Sequence, residues 1–349
     1  MEDKALYRKE SVVSSDLSDY VADVIAALKE EKKYAAAHNY LSTLCSFIRF
    51  WGDRELPASD VSVPLGSPTL PMVEVFSSGA LKKYESWLVS RRCSSNTIST
   101  YMRVLQAVYH RWLPPGASGY NPVLFKDVRT RVEAPTKRAL TVQQISRLAS
   151  TDFSSLSPKH QRALAYFLLM FMLRGMPFID LAHLRKTDLQ DGRIVYQRHK
   201  TGKPMVVDLL PESLRLIQKF RDKTDSVYLF PLLDGGLHDA EELYRCYQVA
   251  LLRFNRELTG LMRLLLPGVK VSSYTARHTW ATTAYHMGVS VGLISESLGH
   301  SSIQVTMAYL KPFDREVIDK VNKQVISFVR KCKKWKKQEY NMLYGTFLG

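Results

Sequence analysis

The chain has 349 residues, 46% of them hydrophobic and 23% charged, which excludes a disordered tail and fits two domains. Its formal net charge of +16 gives a field suited to polyanions, either nucleic acid or an anionic membrane surface. The longest apolar stretch, Ala163 to Leu173, is far shorter than the roughly 20 residues of a membrane span, and Met1 to Ser15 carries no apolar signal-peptide stretch. Cys45, Cys93, Cys246 and Cys332 are dispersed, with no CxxC or HxxxH unit, so structural zinc is not expected and a reducing cytoplasm fits. No GxxxxGK loop is present, so nucleotide hydrolysis is not expected to drive the chemistry.

The first half reads as helices. Asp16 to Glu31 carries Val21, Val24, Ile25 and Leu28 at helical spacing, and Ala35 to Trp51 continues the pattern. Pro57 to Pro71, rich in Pro and Ser, reads as an exposed connection. Val73 to Arg91 and Thr97 to Trp112 are again helical, the latter with Thr97, Tyr101, Leu105 and Tyr109 in register and Arg92, Arg103 and Arg111 nearby. Such basic residues can lie against DNA phosphates or simply face water. Phe125 to Arg138, charged and holding Pro135, reads as the interdomain linker.

A second domain opens at Leu140. Thr141 and Gln144 have the spacing of a capping box that starts a helix. His160 to Arg174 is a strongly apolar helix stopped by Gly175, and Pro177 suits the first turn of the next, through Leu184. Gly192 to Asp208 alternates around Lys200-Thr-Gly-Lys203, a hairpin signal. Helix resumes at Asp239 to Thr259 and for most of the remainder, including an amphipathic segment from Phe313 to Val329 with Val317, Ile318, Val321 and Val325. The basic run Arg330 to Lys337 reads as a solvated tail or an additional DNA contact. The expected fold class is mainly α with a small antiparallel β-sheet, divided into a tail (1–11), a helical unit (12–125), a linker (126–139), a second domain (140–325) and a basic tail (326–349).

Four patches of the second domain stand in a telling order: Leu173-Arg174-Gly175; His199-Lys200-Thr201-Gly202-Lys203; Tyr274-Thr-Ala-Arg277-His278; and Leu298-Gly299-His300-Ser301-Ser302 followed by Tyr309. This ordered set resembles the tyrosine recombinase (phage integrase) family over residues 140 to about 325, and the region before it resembles the family in organisation. The resemblance implies a two-domain DNA clamp: a helical, SAM-like core-DNA-binding domain and a catalytic domain.

It also implies roles. Tyr309 matches the nucleophile that forms a 3′-phosphotyrosine bond with cleaved DNA. A phenol with a reference pKa of about 10 attacks only if deprotonated in the transition state, yet leaves readily, so the bond is reversible without ATP or metal. Arg277 matches the second of two arginines that clamp the non-bridging phosphate oxygens, a task for a planar guanidinium rather than an ammonium. Arg174 is the candidate first arginine, with Arg185 as fallback. The family shows an acidic residue three positions after this arginine, whereas Asp180 here lies six later and Pro177 stands three before it. Asp180 is expected to orient the site's framework. Lys200 matches the hairpin lysine that protonates the leaving 5′-oxygen, and Lys203 competes for that role. His300 matches a residue that donates to a phosphate oxygen, and His278 is expected to pack or position. Position 274 is His in most relatives; Tyr274 donates a hydrogen bond but is a weak base, so it is expected to position the phosphate.

The function implied is site-specific recombination, with integration or excision of a mobile element placed ahead of DNA inversion or chromosome-dimer resolution. Implied partners are double-stranded DNA with inverted-repeat core sites, three further copies of the chain in a homotetramer on two duplexes, and accessory DNA-bending proteins. No cofactor, metal or membrane is expected, and the location implied is cytoplasmic and DNA-associated. A type IB topoisomerase shares the catalytic logic, and a non-catalytic DNA-binding regulator could use the same scaffold; both remain alternatives.

Overall fold

The computed structural model describes residues 15–52, 69–133, 138–236, 239–313 and 315–331. Most of the expected Pro57–Pro71 connection, Pro135 of the linker, the residues of the basic run beyond Lys331, and residues 338–349 lie outside these. The chain divides into two compact units: residues 1–135 with 237–246, and residues 136–236 with 247–349. Among the described residues, no helix is long and apolar enough to cross a membrane.

The first unit holds α1 (Leu17–Glu30), α2 (Tyr34–Gly52), α3 (Met72–Val75), α4 (Ser78–Ser90) and α5 (Ser95–Trp112). Asp16 caps α1 by accepting from Ser18 N–H and also accepts from Leu70 N–H, which ties the segment before α3 to the start of α1. The single helix expected from Val73 to Arg91 is interrupted. Ser77 leaves helical geometry and accepts from Ala80 N–H, starting a new helix, while buried Phe76 packs into the core. On α5 the buried stripe is Ile98, Met102, Leu105, Val108 and Tyr109, so Thr97 and Tyr101 lie on its edge. Phe47, Tyr84 and Leu88 join this core, and the Tyr84 hydroxyl donates to Ser46 Oγ at 2.8 Å. Arg92, Arg103 and Arg111 are exposed, Arg111 lying over the Tyr40 ring at 5.9 Å.

The second unit opens with α6 (Val142–Ala149), whose capping box forms as expected: Thr141 Oγ1 accepts from Gln144 N–H and Gln144 Oε1 from Thr141 N–H. It continues through α7 (Pro158–Met172) and α8 (Phe178–His183). α7 is buried almost all round from Ala163 to Met170, as its sequence requires of a central helix. The sheet follows, with β1 (Leu189–Gln190), β2 (Arg193–Gln197) and β3 (Pro204–Asp208) antiparallel in the order β1-β2-β3. Arg193 pairs with Asp208 and Gln197 with Pro204, leaving residues 198–203 as the hairpin loop. Ile194, Tyr196, Met205 and Val207 point inward.

The remaining helices are α9 (Pro211–Phe220), α10 (Ala240–Leu265), α11 (Thr275–His286), α12 (Val291–Ser297), α13 (Ile303–Met307) and α14 (Arg315–Lys331). α11 packs on α7, and Ala281 of α11 joins Ile294, Leu298 and Leu310 in a small core beside Tyr309. α14 keeps its apolar residues exposed: Val317, Ile318, Val321 and Val325 are each between 42% and 57% accessible.

Candidate active site

The site is built where three chain reversals meet α11. α7 ends in two successive left-handed residues, Arg174 (φ 56°) and Gly175 (φ 67°). The turn is tight because a Cβ at Gly175 would lie 3.0 Å from Arg277 Cα. Its carbonyl is thereby delivered to Arg277, whose Nη1 donates to it at 2.8 Å. The second reversal, at Gly299 (φ 65°), is equally close: a Cβ there would meet Arg198 Cδ and Met205 Sδ at 3.0 Å. This turn follows α12 and brings the Leu298 carbonyl and His300 to the same guanidinium.

Arg277 is 2% exposed, and its Nη2 donates to Leu298 O at 2.6 Å and to His300 Nε2 at 2.8 Å. Three of its five N–H groups are therefore held by fixed acceptors, and Nε is buried with no partner. Burial, then the nearby Arg198, hold its pKa down to about 10, so it stays cationic at neutral pH. A guanidinium always donates, so His300 Nε2 must be the acceptor and Nδ1 carries the proton, donated to Thr306 Oγ1 at 2.8 Å. Burial, followed by Arg277, Arg198, Lys200 and Lys203, pushes the His300 pKa down to about 3. In the DNA-free protein this imidazole is neutral.

Tyr309 lies in the turn after α13. Its ring stacks on His300 at 5.1 Å, contacts His278 at 4.7 Å, and has the Arg277 guanidinium carbon 5.4 Å from its centre. Thr282 Oγ1 donates to the Tyr309 carbonyl at 3.2 Å, and His278 Nδ1 lies 3.3 Å from the same oxygen. His278 thus sits against the backbone of Tyr309, in keeping with a positioning role.

Tyr274 precedes α11 and is 56% exposed. Loss of hydration and then the neighbouring Tyr309 phenol raise its pKa, which makes it a hydrogen-bond donor rather than a base. Arg174 is half-buried and acts electrostatically on Tyr196, as Arg277 and Arg198 do. Arg185, the fallback, is exposed and lines a cavity of about 470 Å³ with His183, Asp188 and His199. Lys200 is exposed on the hairpin loop, and both Lys200 and Lys203 act on His300.

Asp180 is 3% exposed; its Oδ1 accepts from His199 N–H at 3.0 Å, and Oδ2 lies 3.6 Å from Arg198 Nε. Burial raises its pKa, opposed by that N–H and by the arginines. Arg198, Thr282 and Thr306 are the site residues that the motifs did not single out. Arg198 had a signal: in Ile194-x-Tyr196-x-Arg198 it takes the inward parity of two apolar residues. Among the described residues, no group of three or more His, Cys, Asp or Glu could hold a metal ion.

The arrangement presents a phenol beside one buried guanidinium, a neutral imidazole and two loop lysines, a set able to bind a tetrahedral anion and attack it. Residues 138–316 match the phage integrase family and residues 16–111 match the phage integrase SAM-like domain. Tyrosine recombinase XerC of Rickettsia bellii is 25% identical over 240 residues, spanning 66% of this chain and 75% of that protein. The XerC of Rickettsia prowazekii is 24% identical over 236 residues, spanning 66% and 74%. Among solved structures, a lambda integrase dimer bound to a COC′ core site superposes with a TM-score of 0.58 at 14% identity, covering 86% of this chain and 98% of that one. The Tn1549 transposon integrase in complex with transposon right end DNA gives 0.57 at 14% identity, covering 88% and 99%. These likenesses give the fold, mainly helical with one small antiparallel sheet. With the family match spanning more than half of its length, the chain belongs to the phage integrase family, the tyrosine recombinases.

Proposed function

We propose that this protein is a site-specific recombinase that closes its two domains as a clamp on double-stranded DNA and cuts through a 3′-phosphotyrosine intermediate. The observation that carries the reading is the Tyr309 ring held between His300 and His278 beside the Arg277 guanidinium. Tyr309 Oη attacks the scissile phosphorus, forming the O–P bond as the P–O5′ bond breaks. The phenolic proton passes to solvent, and Lys200 delivers a proton to the departing 5′-oxygen. A 5′-hydroxyl from a second strand reverses the step and releases the phenol.

Arg277 and Arg174 neutralise the non-bridging oxygens. For the phosphate to be gripped, Arg277 Nη2 exchanges His300 Nε2 for a phosphate oxygen. His300, freed from that donor and facing added negative charge, then takes up a proton and donates to the phosphate. Tyr274 adds a hydrogen bond from its phenol.

Four copies on two duplexes, joined at inverted-repeat core sites and assisted by DNA-bending proteins, would integrate or excise a mobile element. The exposed apolar stripe of α14 supports an assembly in which this helix is covered by a neighbouring copy. Inversion or chromosome-dimer resolution by the same chemistry is the second reading, with which likeness to a tyrosine recombinase XerC is also compatible.

The test is trapping of a covalent adduct on a nicked suicide duplex built from the repeats flanking the gene. Wild type should form a denaturation-resistant adduct, in EDTA and without nucleotide. Tyr309→Phe should form none while binding the same duplex within a few fold, because affinity comes mainly from phosphate contacts elsewhere. An adduct with Tyr309→Phe would assign the nucleophile to another residue.

A further inference from the structure

We propose that Arg198 is a positioning residue that pins the loop carrying Lys200 to the turn carrying His300, so that this side chain aims Lys200 for proton delivery. The assignment rests on the reading of Lys200 as the acid for the 5′-oxygen.

Arg198 follows β2, and its parity sends the side chain inward with Ile194 and Tyr196; it is 7% exposed. A buried arginine is costly unless its charge and donors are used. Here Nη1 donates to the Gly299 carbonyl at 2.9 Å, the residue immediately before His300. Nε faces Asp180 Oδ2 at 3.6 Å, an ion pair without a hydrogen bond, since both atoms lack partners. The absence of a side chain at Gly299 is what lets the Arg198 stem pass, because a Cβ there would sit 3.0 Å from Arg198 Cδ.

The backbone of the same residue closes the hairpin. Arg198 N–H donates to Lys203 O at 2.9 Å, and its carbonyl accepts from Gly202 N–H at 2.7 Å and Thr201 N–H at 3.2 Å. Lys200 is therefore carried on a loop whose base is Arg198, and the side chain of that base is fastened to the His300 turn. Asp180 reinforces the fastening from the other side by accepting from His199 N–H. A lysine on a hairpin loop has four rotatable bonds to lose, and a fixed loop base lowers the entropy cost of aiming it. Arg198 thus acts through Lys200, in contrast to Arg277, which faces the phosphate.

The test exploits the leaving group. A thiol is far more acidic than an alcohol, so a duplex with sulfur at the bridging 5′ position expels its strand without a general acid. Single-turnover cleavage of the oxygen substrate by Arg198→Gln should fall ~100-fold, within the range of general-acid contributions. Arg198→Lys, which keeps the charge beside Asp180, should fall less. On the sulfur substrate both variants, and Lys200→Ala, should return to within a few fold of wild type.

If Lys200→Ala is rescued by sulfur and the two Arg198 variants are not, Arg198 acts on the phosphate or the fold and the proposal is overturned. If Lys200→Ala is itself not rescued, the role of Lys200 is wrong and the proposal falls with it. Urea unfolding of each variant shows whether loss of fold contributes, and Arg198→Lys carries the test if Arg198→Gln does not fold.

Discussion

Replacing Arg277 by Lys separates charge from shape. The guanidinium reaches three acceptors from two nitrogens: Gly175 O from Nη1, Leu298 O and His300 Nε2 from Nη2, all within 2.6–2.8 Å in a site only 2% exposed. An ammonium has one nitrogen, so it cannot occupy both positions, and at least one buried acceptor loses its donor. An orphaned buried acceptor costs about 1–3 kcal/mol. In a unit of this size that amounts to roughly 2–4 °C of melting temperature for each kcal/mol. Catalysis should suffer more, because a point charge cannot hold two phosphate oxygens at once. Loss of one fixed donor to an oxyanion costs ~100-fold or more in rate. The measurements are thermal unfolding without DNA and single-turnover adduct formation with a saturating suicide duplex. Arg277→Lys that melts with wild type and cuts within threefold of it would refute the claim that the fork geometry matters.

Further outcomes are expected at three positions. Arg174→Ala should lose at least ~100-fold in cleavage rate, as for a lost oxyanion donor, while Arg185→Ala, at an exposed position, should lose far less; the opposite ranking would reassign the first arginine. Tyr274→Phe should slow cleavage by the roughly 1.5–3 kcal/mol of one hydrogen bond to a charged group, and Tyr274→His should retain most activity; single-turnover rates across pH check both, and no effect of Tyr274→Phe at any pH removes it from the site. His300 has a pKa near 3 when folded, against 6.5 for an ordinary histidine. Its neutral form is stable in both states above pH 6.5. As pH falls from 6.5 toward 3 the unfolded chain binds a proton that the folded one refuses, so stability declines by up to about 1.4 kcal/mol per pH unit. His300→Gln should flatten that part of the denaturation profile between pH 6.5 and 5, and an unchanged slope would show that His300 is not held neutral.

Elements with a local cause were readable from the residues alone. The Thr141–Gln144 box, the apolar run of α7 and the hairpin around Lys200 each depend on neighbours within a few positions. The break at Ser77 is hidden by the apolar spacing of Val73 to Arg91, although its cap is local, Ser77 Oγ accepting from Ala80 N–H, and the burial of Phe76 among distant residues accompanies it. The same division holds at the site. Tyr309, His300 and Arg277 announce themselves by spacing, but the hydrogen bonds that seat Arg277 reach Gly175, Leu298 and His300, which lie 102, 21 and 23 residues away. Arg198 escaped because its role depends on Gly299, 101 residues away. Its position one step before the His199–Lys203 patch gave no hint beyond strand parity.

On the role proposed for Arg174, its left-handed backbone sets folding and chemistry against each other at a single codon. A non-glycine residue in that conformation costs roughly 1–2 kcal/mol, and glycine there is free of the penalty. Arg174→Gly should therefore yield a protein at least as robust as the original and unable to cut. A lineage released from the need to recombine would drift toward glycine or asparagine at this position before its core decayed. An intact, well-folded descendant with a small residue at 174 would then be a fossil of lost activity, recognisable by a scaffold more stable than that of its working ancestor.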